Sequence, residues 1–169
     1  MKLRDFELRL SRRLLAWGGA SVAGGTVLAA VGVATGDRFL RAFGSQTVGW
    51  GAIDAALALG GRARARRRLA GTAEDADATA REAARIRRLL AVNAGLDVLY
   101  IAGGLAVAAG RGRHDPAARG HGLAAVVQGA FLLAFDAWHA ARVPTAVADA
   151  PAPADVLASP ADEPRPGGS

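Results

Sequence analysis

Residues 89–109 read LLAVNAGLDVLYIAGGLAVAA. An α-helix needs about 20 such residues to cross a hydrocarbon core of ~30 Å, at ~1.5 Å rise per residue. The stretch holds one charged residue, Asp97, and one further strongly polar one, Asn93. A water-soluble helix carries a charged face on every turn, and this one does not. It therefore reads as a membrane span, and the rest of the chain falls into place around it.

Three more stretches read the same way, at about residues 14–34, 43–61 and 120–141. The first has no charged residue. The second carries Gln46 and Asp54, and the fourth carries His121, Gln128, Asp136 and His139. Short polar turns, Thr35 to Arg38 and Gly110 to Gly120 with Pro116, close two hairpins. The expectation is an all-α, four-helix transmembrane bundle occupying residues 1–142. A soluble Ala-rich bundle is the alternative, and the missing charged faces argue against it. The first apolar run exceeds the ~7–15 residues of a signal peptide core, so it is read as an uncleaved helix.

The flanking segments are of three kinds. Leu3, Phe6, Leu10 and Leu14 fall at helical spacing in a charged N-terminal lead-in, an interfacial or cytoplasmic helix. Between spans two and three lie residues 62–88, where Thr72 and Asp75 read as a capping box opening a helix that runs on into span three. Residues 143–169 hold six of the seven prolines, a composition that cannot bury enough apolar surface to offset its ordering entropy. They read as a disordered tail.

Composition removes several function classes. The 169 residues include no Cys, so a disulfide framework, a thiolate zinc site and a Cys nucleophile are out. A net charge of +6 would suit nucleic acid if basic and aromatic residues shared a face. Here the arginines gather just outside the apolar spans, so no nucleic-acid partner is expected. Of 21 Lys and Arg, five lie in the two short turns (Arg38, Arg41, Arg111, Arg113, Arg119) and the rest on the other side. The positive-inside rule then puts both termini and the middle loop in the cytoplasm, with the chain in the cell membrane.

The polar residues inside the spans are the candidate site. Ionisable groups at that depth are costly and face a bundle interior or a wet cavity. Asp54, Asp97 and Asp136 fall roughly 7–12 Å below the cytoplasmic boundary when counted at ~1.5 Å per residue, on three helices at one depth. Asn93 and Asp97 are one turn apart, as are Asp136 and His139; Gln46 and Gln128 lie two turns further out. One reading is structural: Asp, Asn and Gln hydrogen-bond between membrane helices at ~1 kcal/mol or less each, with Arg13, Arg62, Arg88 or Arg142 reaching down to the aspartates. The other is a proton, cation or ligand site. Carboxylates crowded in a low dielectric cannot all stay ionised, and oxygen ligands suit hard cations while His139 suits a transition metal. No nucleophile motif accompanies them, so no catalytic residue and no cofactor is assigned.

Small residues carry the packing. Ala16, Ala20, Gly24, Gly32 and Gly36 follow a four-residue period in span one, a close-packing stripe directed within the chain or at a second copy in a homo-oligomer. Trp17, Trp50 and Trp138 read as interface or packing aromatics. The run Arg64 to Arg68 suits anionic headgroups, though topology alone explains it. Arg12 to Ala16 recurs as Arg87 to Ala91, Ala23 to Gly25 as Ala102 to Gly104, and both Gln46–Asp54 and Gln128–Asp136 are eight apart. Duplication of a hairpin and chance in a low-complexity chain both produce such matches.

Residues Asn93 to Ile101 (NAGLDVLYI) and Gln128 to Asp136 (QGAFLLAFD) resemble signature stretches of a bacterial family of small four-helix membrane proteins of unknown function. Phe43 to Gln46, Trp50 to Asp54 and Trp17 to Gly19 are similar to its earlier helices. The resemblance covers about residues 10–142. It implies the fold and no activity, and it implies an amide more often than an acid at position 54. The function expected is thus an integral membrane protein, in contact with the lipid bilayer, whose polar layer fixes helix packing. The alternative is a small oligomeric transporter or a proton- or cation-binding protein.

Overall fold

The computed structural model describes residues 2–69 and 76–144. The capping box at Thr72 and Asp75 and the tail from residue 145 lie outside the described residues. Among the described residues four long helices follow one another: α1 (Leu3–Thr35), α2 (Arg38–Leu69), α3 (Ala76–Ala109) and α4 (Pro116–Ala140), with a 3-10 turn at Arg111–Arg113 before α4. The punctuation is local chemistry. Gly36 ends α1 in the left-handed region at φ 71°, which a residue with a Cβ adopts only at a cost. The Asp37 carboxylate accepts from the Leu40 N–H at 3.0 Å and opens α2, and Asp115 caps α4 ahead of Pro116 by accepting from the Ala117 N–H. Arg38 and Asp115 pair at 3.1 Å and tie the two turns together.

Residues are distributed inside out relative to a water-soluble protein. Much of the interior is Ala, Gly, Ser, Asp and Gln, while Val27, Ile53, Leu57, Leu99 and Val107 stand exposed. Soluble monomers do not leave so much contiguous apolar surface in water. Three helices, α1, Asp77–Ala109 within α3, and α4, are long and apolar enough to cross a membrane. α2 is as long but less apolar, because Gln46, Asp54 and the arginines after Gly61 dilute it.

α1 packs along α2, α3 along α4, and α2 lies against α4. Backbone contact makes the hairpins. Ser11, Gly18, Gly25 and Gly32 are buried on α1, and Gly44, Gly51, Ala58 and Ala65 on α2, each set at seven-residue spacing. A seven-residue period keeps one seam facing its partner along a left-handed supercoil. A methyl group on Gly18 would stand 2.7 Å from the Gly51 carbonyl oxygen, and one on Gly25 2.7 Å from that of Gly44. The second hairpin repeats the device with Ala83, Leu90, Asp97 and Gly104 on α3 and Gly122, Gly129 and Asp136 on α4. There Gly104 and Gly122 approach as closely.

This corrects the within-chain reading of the four-residue stripe. Ala16, Ala20 and Gly24 are exposed and Gly36 is a helix terminator; Gly32 alone of that set is in the seam. The seams also sort the internal repeats. Gly25 and Gly104 hold matching positions, so the Ala-Gly-Gly match has a structural counterpart. The Gln–Asp match does not: Asp136 sits where the first hairpin has Ala58, and Asp54 is four residues away.

At the end of the bundle where the described chain begins and ends, Phe6, Ala83, Ile86, Leu90 and Val143 form a compact apolar cluster, flanked by Leu3, Leu10 and Ala140. Val143 is 4% exposed, and Arg87 donates to its carbonyl at 3.2 Å. The tail therefore does not begin at residue 143, as composition implied. Val143 is the next seam position after Asp136 and belongs to the fold.

Candidate functional site

The polar groups fall into two sets that behave differently. The first is hydrogen-bonded. Gln128, 1% exposed, accepts from Trp17 Nε1 at 2.9 Å and donates through Nε2 to Ser21 Oγ at 3.2 Å. The Trp17 ring stacks on Phe131 with centroids 3.6 Å apart. α1 and α4 are thereby joined by side chains rather than by backbone contact. Gln46 Oε1 meets His121 Nδ1 at 3.1 Å and joins α2 to α4. Both the amide oxygen and the amide nitrogen of buried Gln128 are thus engaged by protein groups.

The second set is not satisfied. Asp54, Asp97 and Asp136 are 2%, 3% and 6% exposed, on α2, α3 and α4, and lie within electrostatic reach of one another. Among the described residues none of the three makes a hydrogen bond or an ion pair, and Oδ2 of Asp54 and of Asp97 is fully buried without a donor. Trp50 Nε1 is also buried without an acceptor. Trp50 lies one turn from Asp54 on α2, and its ring meets Tyr100, one turn from Asp97 on α3, at 4.8 Å between centroids. One orphan donor and two orphan acceptors thus lie on α2 and α3, each within a turn of the Trp50–Tyr100 contact. Buried polar groups are paired in the great majority of cases, and each exception calls for an explanation.

Trp50 was not among the residues the sequence pointed to as ligands. The signal available was its i, i+4 spacing to Asp54, which puts both on one face.

The register revises the depth of the layer. A methyl group on Gly129 would stand 3.1 Å from the Asp97 carbonyl oxygen, so Asp97 is level with Gly129 and not with Asp136. Seven residues at ~1.5 Å each separate the two levels by about 10 Å. The carboxylates are stepped along the bundle rather than set in one plane. Helical side chains lean toward their own N-terminus. On antiparallel α3 and α4 the two aspartates therefore lean toward each other and recover part of that distance.

Two expected members are elsewhere. Asn93 is exposed, one turn from Asp97 but on the outer surface. His139 is buried and turned to other partners: Nδ1 meets the Phe135 carbonyl at 2.7 Å and Nε2 meets Arg13 at 3.5 Å. The consistent tautomer donates from Nδ1 and accepts at Nε2 from the guanidinium. Both nitrogens are then used, which leaves no lone pair for a metal. Among the described residues no three His, Asp or Glu side chains come together as a metal-binding group. The helix-end arginines do not reach the aspartates either; Arg142 lies over the Trp138 ring, 3.2 Å from its centroid.

Over residues 13–137 the chain matches a family described as a family of unknown function, DUF6992. No curated protein and no solved structure gives a significant match.

Proposed function

The chain belongs to the DUF6992 family, whose function is unknown, so its role has to be read from its own residues, and we propose that it is a four-span membrane protein carrying a proton-binding carboxylate site within the bilayer. Both termini face the cytoplasm in this reading. The charge split across the turns and the apolar exterior support the placement. A division of labour supports the site. Gln128 with Trp17 and Ser21, and Gln46 with His121, fix the helix packing. Asp54, Asp97 and Asp136 contribute no hydrogen bond to it.

The observation that carries the proposal is the set of buried, unpartnered atoms: Asp54 Oδ2, Asp97 Oδ2 and Trp50 Nε1. An ionised carboxylate buried without a counter-charge costs several kcal/mol. A proton on the carboxyl removes that cost, and the protonated acid becomes a donor to its neighbour. A proton suits the site better than a divalent cation, which takes six to eight oxygen ligands. Asn93, exposed between Val92 and Leu96 on an apolar face, favours a homo-oligomer in which that amide finds a partner.

The test is labelling with dicyclohexylcarbodiimide in membranes, followed by peptide mass spectrometry. The carboxyl oxygen adds to the carbodiimide carbon, the acid proton passes to its nitrogen, and acyl transfer leaves a stable N-acylurea. Adducts are expected on at least one of Asp54, Asp97 and Asp136 near neutral pH, and Asp54→Asn and Asp97→Asn should fold with wild-type stability and lose them. Absence of adducts on all three, or Asn variants that melt far below wild type, would overturn the proposal.

A further inference from the structure

A shallow groove of about 580 Å³ runs between α1 and α4 on the outside of the bundle. Its walls are Ala16, Ala20, Trp17, Phe131 and Ala134, and at one end it reaches Arg13, Trp138 and His139. The small side chains of Ala16 and Ala20 make it a channel; larger ones would fill it. Along its length it is apolar. At its end the character changes. Among the described residues Arg13 meets Nε2 of His139, and Arg142 meets the Trp138 ring and carbonyl. Neither arginine has a carboxylate partner among the described residues. Arg13 lines the end of the apolar groove and Arg142 lies over the neighbouring Trp138 ring, so two guanidinium groups without a counter-ion among the described residues stand at that end.

We infer that this groove binds one anionic phospholipid, its acyl chain along Ala16, Ala20 and Trp17 and its phosphate against Arg13 and Arg142. The inference rests on the membrane placement proposed above and is independent of the aspartate site. Guanidinium pairs phosphate through parallel hydrogen bonds, and the charge at the mouth selects an anionic headgroup over a zwitterionic one. An unpaired cation on a lipid-facing surface is costly; the headgroup removes that cost where no side chain does. Arg12 does not share the groove; it lines a separate basic recess with Arg9, Arg62 and Arg66.

Trp17 and Trp138, which both line the groove, provide the readout once Trp50 is removed. The full chain carrying Trp50→Phe would be reconstituted in phosphatidylcholine and titrated with phosphatidylglycerol or phosphatidylcholine brominated in the acyl chain. Quenching by the brominated phosphatidylglycerol should saturate at low mole fraction, with a preference over brominated phosphatidylcholine of about fivefold for each arginine. Arg13→Gln with Arg142→Gln should abolish the preference, and Arg12→Gln should leave it. Ala16→Leu, an exposed position whose larger side chain disturbs no core contact, should weaken quenching by both lipids. Equal quenching by the two lipids, or a preference unchanged in the arginine pair, would overturn the lipid site while leaving the membrane reading intact. A chain that fails to incorporate into phosphatidylcholine at all would overturn both.

Discussion

Replacing Gly24 and Gly25 one at a time by Ala pits the seven-residue seam against the four-residue stripe. The two glycines are adjacent, in one helix, and each gains the same ~0.8–1.0 kcal/mol of helix propensity on acquiring a methyl group. Only their surroundings differ. A Cβ on Gly24 has nothing within 4 Å, whereas a Cβ on Gly25 would stand 2.7 Å from the Gly44 carbonyl oxygen and 2.9 Å from the Val48 nitrogen. Non-bonded heavy atoms settle near 3.5 Å, so α1 and α2 must part by roughly 0.6–0.8 Å at that level. Overpacking of this kind costs about 1–3 kcal/mol. The neighbouring contacts at Gly18 and Gly44 in the same rigid seam resist the shift. Gly24→Ala should therefore be neutral or slightly stabilising, and Gly25→Ala should be the less stable of the two by about 1–3 kcal/mol. At roughly 2–4 °C per kcal/mol for a chain of this size, the melting points in detergent should differ by about 2–12 °C. The same order is expected for Gly19→Ala over Gly18→Ala, since Gly19 also has nothing within 4 Å. Equal melting points for Gly24→Ala and Gly25→Ala, or a lower one for Gly24→Ala, would refute the seam.

Two further outcomes can be checked. A chain ending at Arg142 should lose about 2 kcal/mol of stability by chemical denaturation, because it lacks the buried Val143 side chain and the acceptor for Arg87; a chain ending at Pro144 should keep full stability, and equal loss or no loss in both would contradict the role given to Val143. Single cysteines introduced as Arg66→Cys and Arg113→Cys should react oppositely with an impermeant maleimide in intact cells, position 113 from outside only, and labelling of position 66 from outside would reverse the topology.

How much of this was legible in advance depends on what each residue's position relies on. The helices were legible because they depend on the chain alone: Leu89 to Ala109 is too long and too apolar to be anything but a helix that avoids water, and Asp37, Pro116 and Gly36 mark the turns by local geometry. The polar residues were legible too, since Asp54, Asp97, Asp136 and Gln128 are conspicuous in apolar surroundings. Their separation into a bonded set and an unbonded set was not. Gln128 is satisfied because Trp17 and Ser21 on another helix point at it, and Asp97 is unsatisfied because Gly129, which has no side chain, stands opposite. Both facts are properties of neighbours far away in the sequence. Trp50 was overlooked for the same reason, its indole N–H being notable only once it is found without an acceptor.

The sequence by itself determined that the chain is helical, where the short turns between its helices fall, and which polar groups lie among apolar ones. Each of these follows from transfer free energies and backbone propensities that act residue by residue. Tertiary structure alone decided which face of each helix meets a partner. With Ala and Gly spread throughout α1, periods of four and of seven can both be read from the letters, and hydropathy does not choose between them because lipid and protein interior are equally apolar. Close contact of backbones makes the choice: at Gly18, Gly25, Gly44 and Gly51 in the first hairpin, and at Gly104 and Gly122 in the second, a side chain has no room, and that exclusion, which exists only when two helices are in place, fixes each register; in the second hairpin it sets Asp97 above Asp136 and brings Val143 into the core.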